Sequence, residues 1–290
     1  MKVGVGLPAT IPNVPSQLIL EWARKADEAG FNTLGIVDRT VYSNYEALIS
    51  LAAAAAVTKR IKLMPTVLII PARETGIVAK QLATLDTISE GRLIAAFGIG
   101  GRKEDFEINE QEFKNRGKRL EKQIALMKDI WSGKKIAGNF GYIGPTPKQK
   151  GGIEILLGGY VPGSFQRAGK IADGFITGGV GDPGAAGGIY KAVEASWKAN
   201  NREGKPRFVV SIYYALGSNA TERGGAYLRN YYGDFAEMVM KGLKSSPGQI
   251  KESIKGFEEI GADEVMLWPT IAEIGQLDQL VSALSPDYLH

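Results

Sequence analysis

Three short stretches of this chain have the residue types and spacing to do chemistry. Gly98-Ile99-Gly100-Gly101-Arg102 follows one apolar run, Gly158-Gly159-Tyr160 follows a second, and Asp38-Arg39 follows a third. Glycines in such a turn let backbone N–H groups approach an anion closely, and a strand-to-helix turn adds the positive end of a helix. Either glycine turn alone reads as an ordinary connection. Two of them ending strands on one face point instead to a phosphate-bearing ligand. Asp38 and Arg39 have two readings. They are a surface ion pair, worth under about 1 kcal/mol, or a pair facing the same site, where Arg39 stabilises developing negative charge. In the same loop Tyr42 and Tyr45 either line a substrate pocket or pack on the next helix. Trp268, just before Pro269, suits either ligand packing or core filling.

What is missing narrows the chemistry. None of the 290 residues is cysteine, and the one histidine, His290, is the last residue. Disulfides, thiolate metal sites and thiol nucleophiles are excluded, and the body of the chain lacks the commonest general base and metal ligand. No carboxylate spacing suggests a metal site, and none is assigned. The difficult step is therefore expected to arrive with a cofactor. A net charge of +4, with both signs interspersed, argues against nucleic-acid and membrane partners. No apolar segment reaches membrane-spanning length, and MKVGVGLPAT is too short to be a signal peptide, so the expected location is the cytoplasm.

These residues need a scaffold that gathers them. Strand-like runs fall at 3–7, 33–37, 61–70, 92–97, 153–157, 174–177, 208–216 and 264–268. Helical spacing fills the intervals at 16–29, 45–57, 74–89, 113–131, 165–171, 188–199, 247–260 and 274–284. The run 93–97 is apolar without alternation, as in a strand covered on both faces. This cadence predicts a single (β/α)8 TIM barrel over 1–290 with insertions at the carboxyl-terminal face, rather than an open doubly wound sheet. Three stretches exceed ordinary loop length. The spacing predicts a hairpin over the barrel mouth for 132–152, a mobile loop for 178–188 and extra helix within 220–246. All three are either surface decoration or, for the two that follow strands, a lid.

Five blocks, in order, carry a family resemblance: EWARKADEAGFNTLGIVDR, TKRIKLMPTVLIIPARE, AKQLATLDTISEGRLIAAFGIGG, FKNRGKRLEKQIALMKDIWSG and ILLGGYVPGSFQRAGKIADGF. Together they resemble the bacterial luciferase-like superfamily, TIM-barrel oxidoreductases that use reduced FMN or the deazaflavin coenzyme F420. The resemblance implies a flavin lying across the carboxyl ends of the strands. Thr66 and Val67 match a bulge with a non-prolyl cis peptide backing the ring. Gly98, Ile99, Gly100 and Arg102 match the turn beside the cofactor. Gly158, Gly159 and Tyr160 match the loop that holds its phosphate, and Asp38 lies near the reacting edge. The resemblance also implies a homodimer through the small-residue helix LISLAAAAAV.

The chain departs from the family where proton transfer is done. It has Asp38-Arg39-Thr40 where many members place a histidine after the aspartate. It has Gly100-Gly101-Arg102 where the sugar-phosphate dehydrogenases of the deazaflavin branch carry a glutamate. The expected activity is therefore a reduced-FMN, O₂-using monooxygenation of a small organic substrate, with Asp38 and Arg39 as catalytic residues and Tyr42, Tyr45 and Trp268 around the substrate. A separate flavin reductase is a possible partner. The alternatives are F420-dependent hydride transfer and a flavin-binding protein without turnover. A phosphate-substrate aldolase would need a reactive lysine at a strand end, and none is evident.

Overall fold

A computed structural model describes residues 1–136, 141–179 and 181–289. The strands are β1 Lys2–Gly6, β2 Thr33–Ile36, β3 Lys62–Pro65, β4 Ile94–Phe97, β5 Glu154–Gly158, β6 Gly174–Gly179, β7 Arg207–Tyr214 and β8 Glu264–Pro269. The helices are α1 Ser16–Glu28, α2 Ala47–Val57, α3 Thr75–Ile88, α4 Glu104–Glu107, α5 Arg116–Trp131 and α6 Pro162–Ile171. They continue as α7 Pro183–Ala199, α8 Ala220–Tyr232, α9 Ala236–Met240, α10 Pro247–Glu259 and α11 Gly275–Ala283. The sheet runs β3-β2-β1-β8-β7-β6-β5-β4, and its paired strands are parallel. Leu63 N donates to Arg92 O at 3.0 Å and Leu68 N to Ala96 O at 2.8 Å, which brings β3 against β4. The result is a nearly closed (β/α)8 barrel, with helices between the strands.

Each strand is buried on both faces, which explains the unbroken apolar runs. Met64, Ile94, Ala96, Leu156, Ile176, Val209 and Met266 make a second core distinct from the one between strands and helices. Room for it comes from small residues on the first strands. A Cβ on Gly4 would collide with Met266, and one on Gly6 with Trp268. Beneath this layer Arg207 is pinned between two carboxylates, Glu154 at 2.7 Å and the fully buried Glu264. Burial alone would lower the Arg207 pKa, but the two carboxylates outweigh it and hold it above the usual value. Asn32 Nδ2 donates to the other Glu264 oxygen at 2.9 Å.

Several expectations shift at their edges. The third strand, expected over 61–70, ends at Pro65. The Thr66–Val67 peptide is cis, as expected, and a 3-10 turn follows at Ile70–Ala72. The 178–188 segment is not all loop. Asp182 accepts a hydrogen bond from Ala185 N at 2.6 Å, Pro183 occupies the first turn, and α7 begins there. The expected hairpin over the mouth is absent among the described residues of 132–152. Lys148 N and the Gln149 side chain instead bond Asp86 at 2.7 and 2.6 Å, and Gln149 also bonds Leu93 O. Lys148 and Gln149 thus lie at the amino end of β4, opposite the mouth. The helix expected within 220–246 is present as α8 and α9.

Candidate active site

The carboxyl ends of the strands surround a cavity of about 430 Å³. One wall is backbone. Gly98 follows β4, Gly158 ends β5, and both face Val67. A Cβ on Gly158 would lie 2.8 Å from Val67 Cγ1, and one on Gly98 would collide with Cγ2. Only glycine at both positions leaves space for the valine. Beyond Gly158, a Cβ on Gly159 would lie 2.6 Å from Ser164 Cβ and Oγ. Val161 and Ser164, at the start of the ten-residue helix α6, also line the cavity. In this first turn Pro162 has no N–H and Ser164 N donates to Val161 O at 2.8 Å, so the Gly163 amide and the positive end of the helix are what this border offers an anion.

The acidic and basic side chains at the rim are tied to one another. Asp38 Oδ2 accepts from Ile69 N at 2.9 Å, and Oδ1 from Arg73 at 2.7 Å. Burial would lower the Arg73 pKa, but Asp38 and Glu46 outweigh it and hold the guanidinium above its usual value. Arg39 Nε donates to Asp105 Oδ2 at 2.6 Å, while Nη2 serves Val41 O and Glu104. Asp105 Oδ1 takes the N–H groups of Thr40 and Val41 at 3.1 and 2.7 Å. Arg39 Nη1 is buried with no partner. Arg102 donates to Tyr231 O at 2.7 Å and lies 5.5 Å from that ring's centroid. Arg116 bonds Gly100 O at 2.9 Å.

The opposite wall is aromatic. Tyr213 on β7, Tyr231 and Tyr232 on α8, and Trp268 on β8 all line the cavity. Tyr231 and Tyr232 meet edge to face at 4.9 Å, and Tyr213 meets Tyr232 the same way at 6.0 Å. The Tyr213 and Tyr232 hydroxyls are 2.7 Å apart. Behind them Tyr227 bonds Thr10 at 2.7 Å. Burial pushes the Tyr213, Tyr227, Tyr231 and Tyr232 hydroxyls above the ordinary phenol value, so all four stay protonated well past neutrality.

Of the residues singled out in the sequence, Asp38, Arg39, Thr66, Val67, Gly98, Ile99, Gly100, Arg102, Gly158, Gly159, Tyr160 and Trp268 meet around this one cavity. Tyr42 and Tyr45 differ from expectation and stand outside its lining. The Tyr42 ring sits edge-on behind Tyr231 at 5.0 Å with its hydroxyl on Asn230, and the Tyr45 hydroxyl donates to Val14 O. His290 lies outside the described residues. Sequence reading passed over Asp105, Arg116, Ser164 and the tyrosines of β7 and α8. The Tyr227–Tyr231 spacing, one helical turn, was the one available signal for the aromatic wall.

Comparison with known proteins identifies the family and the fold. The luciferase-like monooxygenase family model matches residues 1–248, and the chain belongs to that family. An uncharacterised protein of Mycobacterium tuberculosis is 30% identical over 190 residues, 56% of this chain and 65% of the relative. An F420-dependent glucose-6-phosphate dehydrogenase of Amycolatopsis mediterranei is 28% identical over 189 residues, 59% of this chain and 56% of the relative. The chain thus spans under two thirds of the length of these curated relatives. In fold it is similar to the monooxygenase RslO1 of Streptomyces bottropensis, with TM-score 0.82, 21% identity and coverage of 99% and 100%. It is equally similar to an F420-dependent secondary alcohol dehydrogenase, with TM-score 0.83, 16% identity and both chains fully covered. Among the described residues no helix is long and apolar enough to cross a membrane, and no three His, Asp or Glu side chains gather to hold a metal ion.

Proposed function

We propose that this protein is a flavin-dependent monooxygenase that binds reduced FMN in the barrel-mouth cavity and oxygenates a small organic substrate with O₂. The donor set fits such a cofactor. The Gly98 and Gly158 turns, closed over Val67, give one wall for the ring, and the Gly159–Ser164 border with the first turn of α6 suits its phosphate. Arg39 Nη1 is a buried donor in need of an acceptor. When bound, reduced FMN supplies the electrons that activate O₂, one oxygen atom entering the substrate and the other leaving as water. The protein's part is to bind, to orient and to keep water away. The aromatic wall and α8 cover the cavity for that purpose.

One observation carries the choice of oxygen chemistry over alcohol oxidation. Both carboxylates lining the cavity are committed: Asp38 to Arg73 and Ile69 N, and Asp105 to Arg39, Thr40 N and Val41 N. Every one of their oxygens already accepts at least one hydrogen bond from the protein, so both carboxylates serve to hold the rim rather than to take the proton of a substrate hydroxyl, as hydride abstraction from an alcohol requires. F420-dependent hydride transfer is the second reading, favoured by the 28% identity to the F420-dependent relative. The proposal includes a second copy of this chain against α2, where Ile49 is 72% exposed beside the exposed Ala53 and Ala56. A separate enzyme that reduces the flavin is the expected partner in turnover.

Titration with FMN and with the deazaflavin, followed by turnover under ¹⁸O₂, tests the reading. FMN binding and one labelled oxygen in the product are expected. No FMN affinity, together with deazaflavin binding and anaerobic turnover, would transfer the assignment to hydride transfer.

A further inference from the structure

Two neighbouring glycines at the end of β6 each seat a tyrosine ring. A Cβ on Gly178 would collide with the hydroxyl end of Tyr160, and one on Gly179 would lie 2.8 Å from the Tyr213 ring. Consecutive residues of a regular strand face opposite sides. Here β6 shifts its register against β7 between Ile176 and Gly179, and both rings line the one cavity. Gly178 has no left-handed φ, so its backbone does not call for glycine, and room for Tyr160 is what does. The two rings differ in exposure. Tyr213 is 8% exposed within the aromatic wall, whereas Tyr160 is 67% exposed. The tip of Tyr160 is its enclosed part, and burial there pushes the phenol above its ordinary value. Tyr160 follows Gly159 directly, so its ring runs from the Gly159–Ser164 border to the end of the neighbouring strand β6. A large ring anchored at its tip and bare along its face has apolar area that a ligand can cover.

We propose that Tyr160, seated on Gly178, is the residue that retains the bound cofactor, its ring covering the ligand beside the phosphate border and slowing its release. The inference rests on the reading of this cavity as a flavin site, and it deepens that reading by assigning the residue that controls departure. A ligand whose phosphate sits at the Gly159–Ser164 border lies within reach of the bare Tyr160 face. Covering that face removes apolar area from water, and release exposes it again, so the contact acts mainly on the off-rate. The ring does this work and the hydroxyl does not, so phenylalanine at position 160 keeps the effect. Gly178 is a positioning residue. Any side chain there takes the seat away while leaving the chemistry of Tyr160 unchanged.

Flavin fluorescence after rapid dilution of the FMN-loaded protein reads the off-rate. Tyr160→Ala should raise it by at least about fivefold and Tyr160→Phe by less than about twofold. Gly178→Ala should raise it as much as Tyr160→Ala does. In the double variant Tyr160→Ala/Gly178→Ala the second change should add nothing, because the new methyl group meets no ring. A merely structural role for Gly178 would add its own loss. Unchanged release in Tyr160→Ala, or additive effects of the two substitutions, would overturn the proposal. Should Gly178→Ala not fold alone, recovery of the fold in the double variant supports the seat, and a double variant that stays unfolded refutes it. The same series with the deazaflavin separates the two readings. FMN binding without this pattern sinks this inference alone. Binding of the deazaflavin only, with the pattern kept, sinks the oxygenase reading and leaves the retaining role standing. Binding of neither sinks both.

Discussion

Arg39 and Asp105 meet at 2.6 Å across the cavity rim, joining the loop after β2 to the short helix after β4. Both side chains are nearly buried, and the second Asp105 oxygen holds the Thr40 and Val41 amides. One carboxylate therefore fixes both the guanidinium and the loop that carries it.

Asp105→Ala should leave Arg39 with Glu104 and Val41 O only, and strand two backbone donors. Breaking a buried pair by removing one partner typically costs about 3–5 kcal/mol. Urea denaturation should show a loss of that order, and Asp105→Asn a smaller one, because the amide oxygen still accepts. A loss under about 1 kcal/mol for the alanine variant would mean that the pair is effectively solvated.

Gly159→Asp should weaken FMN binding by at least about tenfold while leaving riboflavin binding nearly unchanged. The new side chain enters the Ser164 border and brings a negative charge to the place assigned to the phosphate. Parallel fluorescence titrations read the difference. Equal losses for the two ligands would show that this loop does not hold the phosphate.

Alkaline pH should unfold the protein steeply. The phenols of Tyr213, Tyr214, Tyr227, Tyr231 and Tyr232 are pushed up chiefly by burial, and Tyr190 to about 12. Each folded pKa lies above its unfolded value. The stabilisation is therefore fully present below about pH 10, the unfolded phenol value, and is lost as pH rises through the folded values. Denaturation midpoints should stay level in this respect to pH 9 and fall beyond 10. Phenolate absorbance should appear in step with the loss of the fold. Smooth titration of all the tyrosines near pH 10 without unfolding would contradict the burial.

Ile49→Glu should convert a dimer to a monomer without loss of fold, since Ile49 makes little contact within its own chain at 72% exposure. Sedimentation of both proteins over a concentration series measures this. A monomeric parent, or a variant that sediments with the parent dimer, removes α2 as the interface.

The barrel and the backbone wall of its site were legible because local sequence produces them. Glycine turns, apolar runs and helical spacing are short-range signals, and they located Gly98, Gly158 and Gly159, whereas Val67 came only from the family resemblance. The polar network was not legible, because its members meet only after closure. Asp105 reaches Arg39 from 66 residues away, and the Tyr213 and Tyr232 hydroxyls come from a strand and a helix within an insertion. Tyr42 and Tyr45 were placed in the pocket because they follow β2. Asn230 and Val14, contacts that only the folded chain supplies, turn them elsewhere. The 132–152 segment misled for the opposite reason. Its turn chemistry was plain, but it joins a helix to the next strand, which puts it at the amino end of the barrel, where Asp86 anchors Lys148 and Gln149.

Val67 fills space that a side chain on Gly98 or on Gly158 would need, so three residues at the carboxyl ends of three strands share one volume. Their substitutions are coupled. Gly98→Ala alone displaces the valine, while Gly98→Ala combined with Val67→Ala restores the fit, a departure from additivity that a double-mutant cycle reads directly. Across related chains these positions should drift as a set, a larger residue on one strand answered by a smaller one on its neighbour. The backbone wall of the cavity thus behaves as a single unit of size.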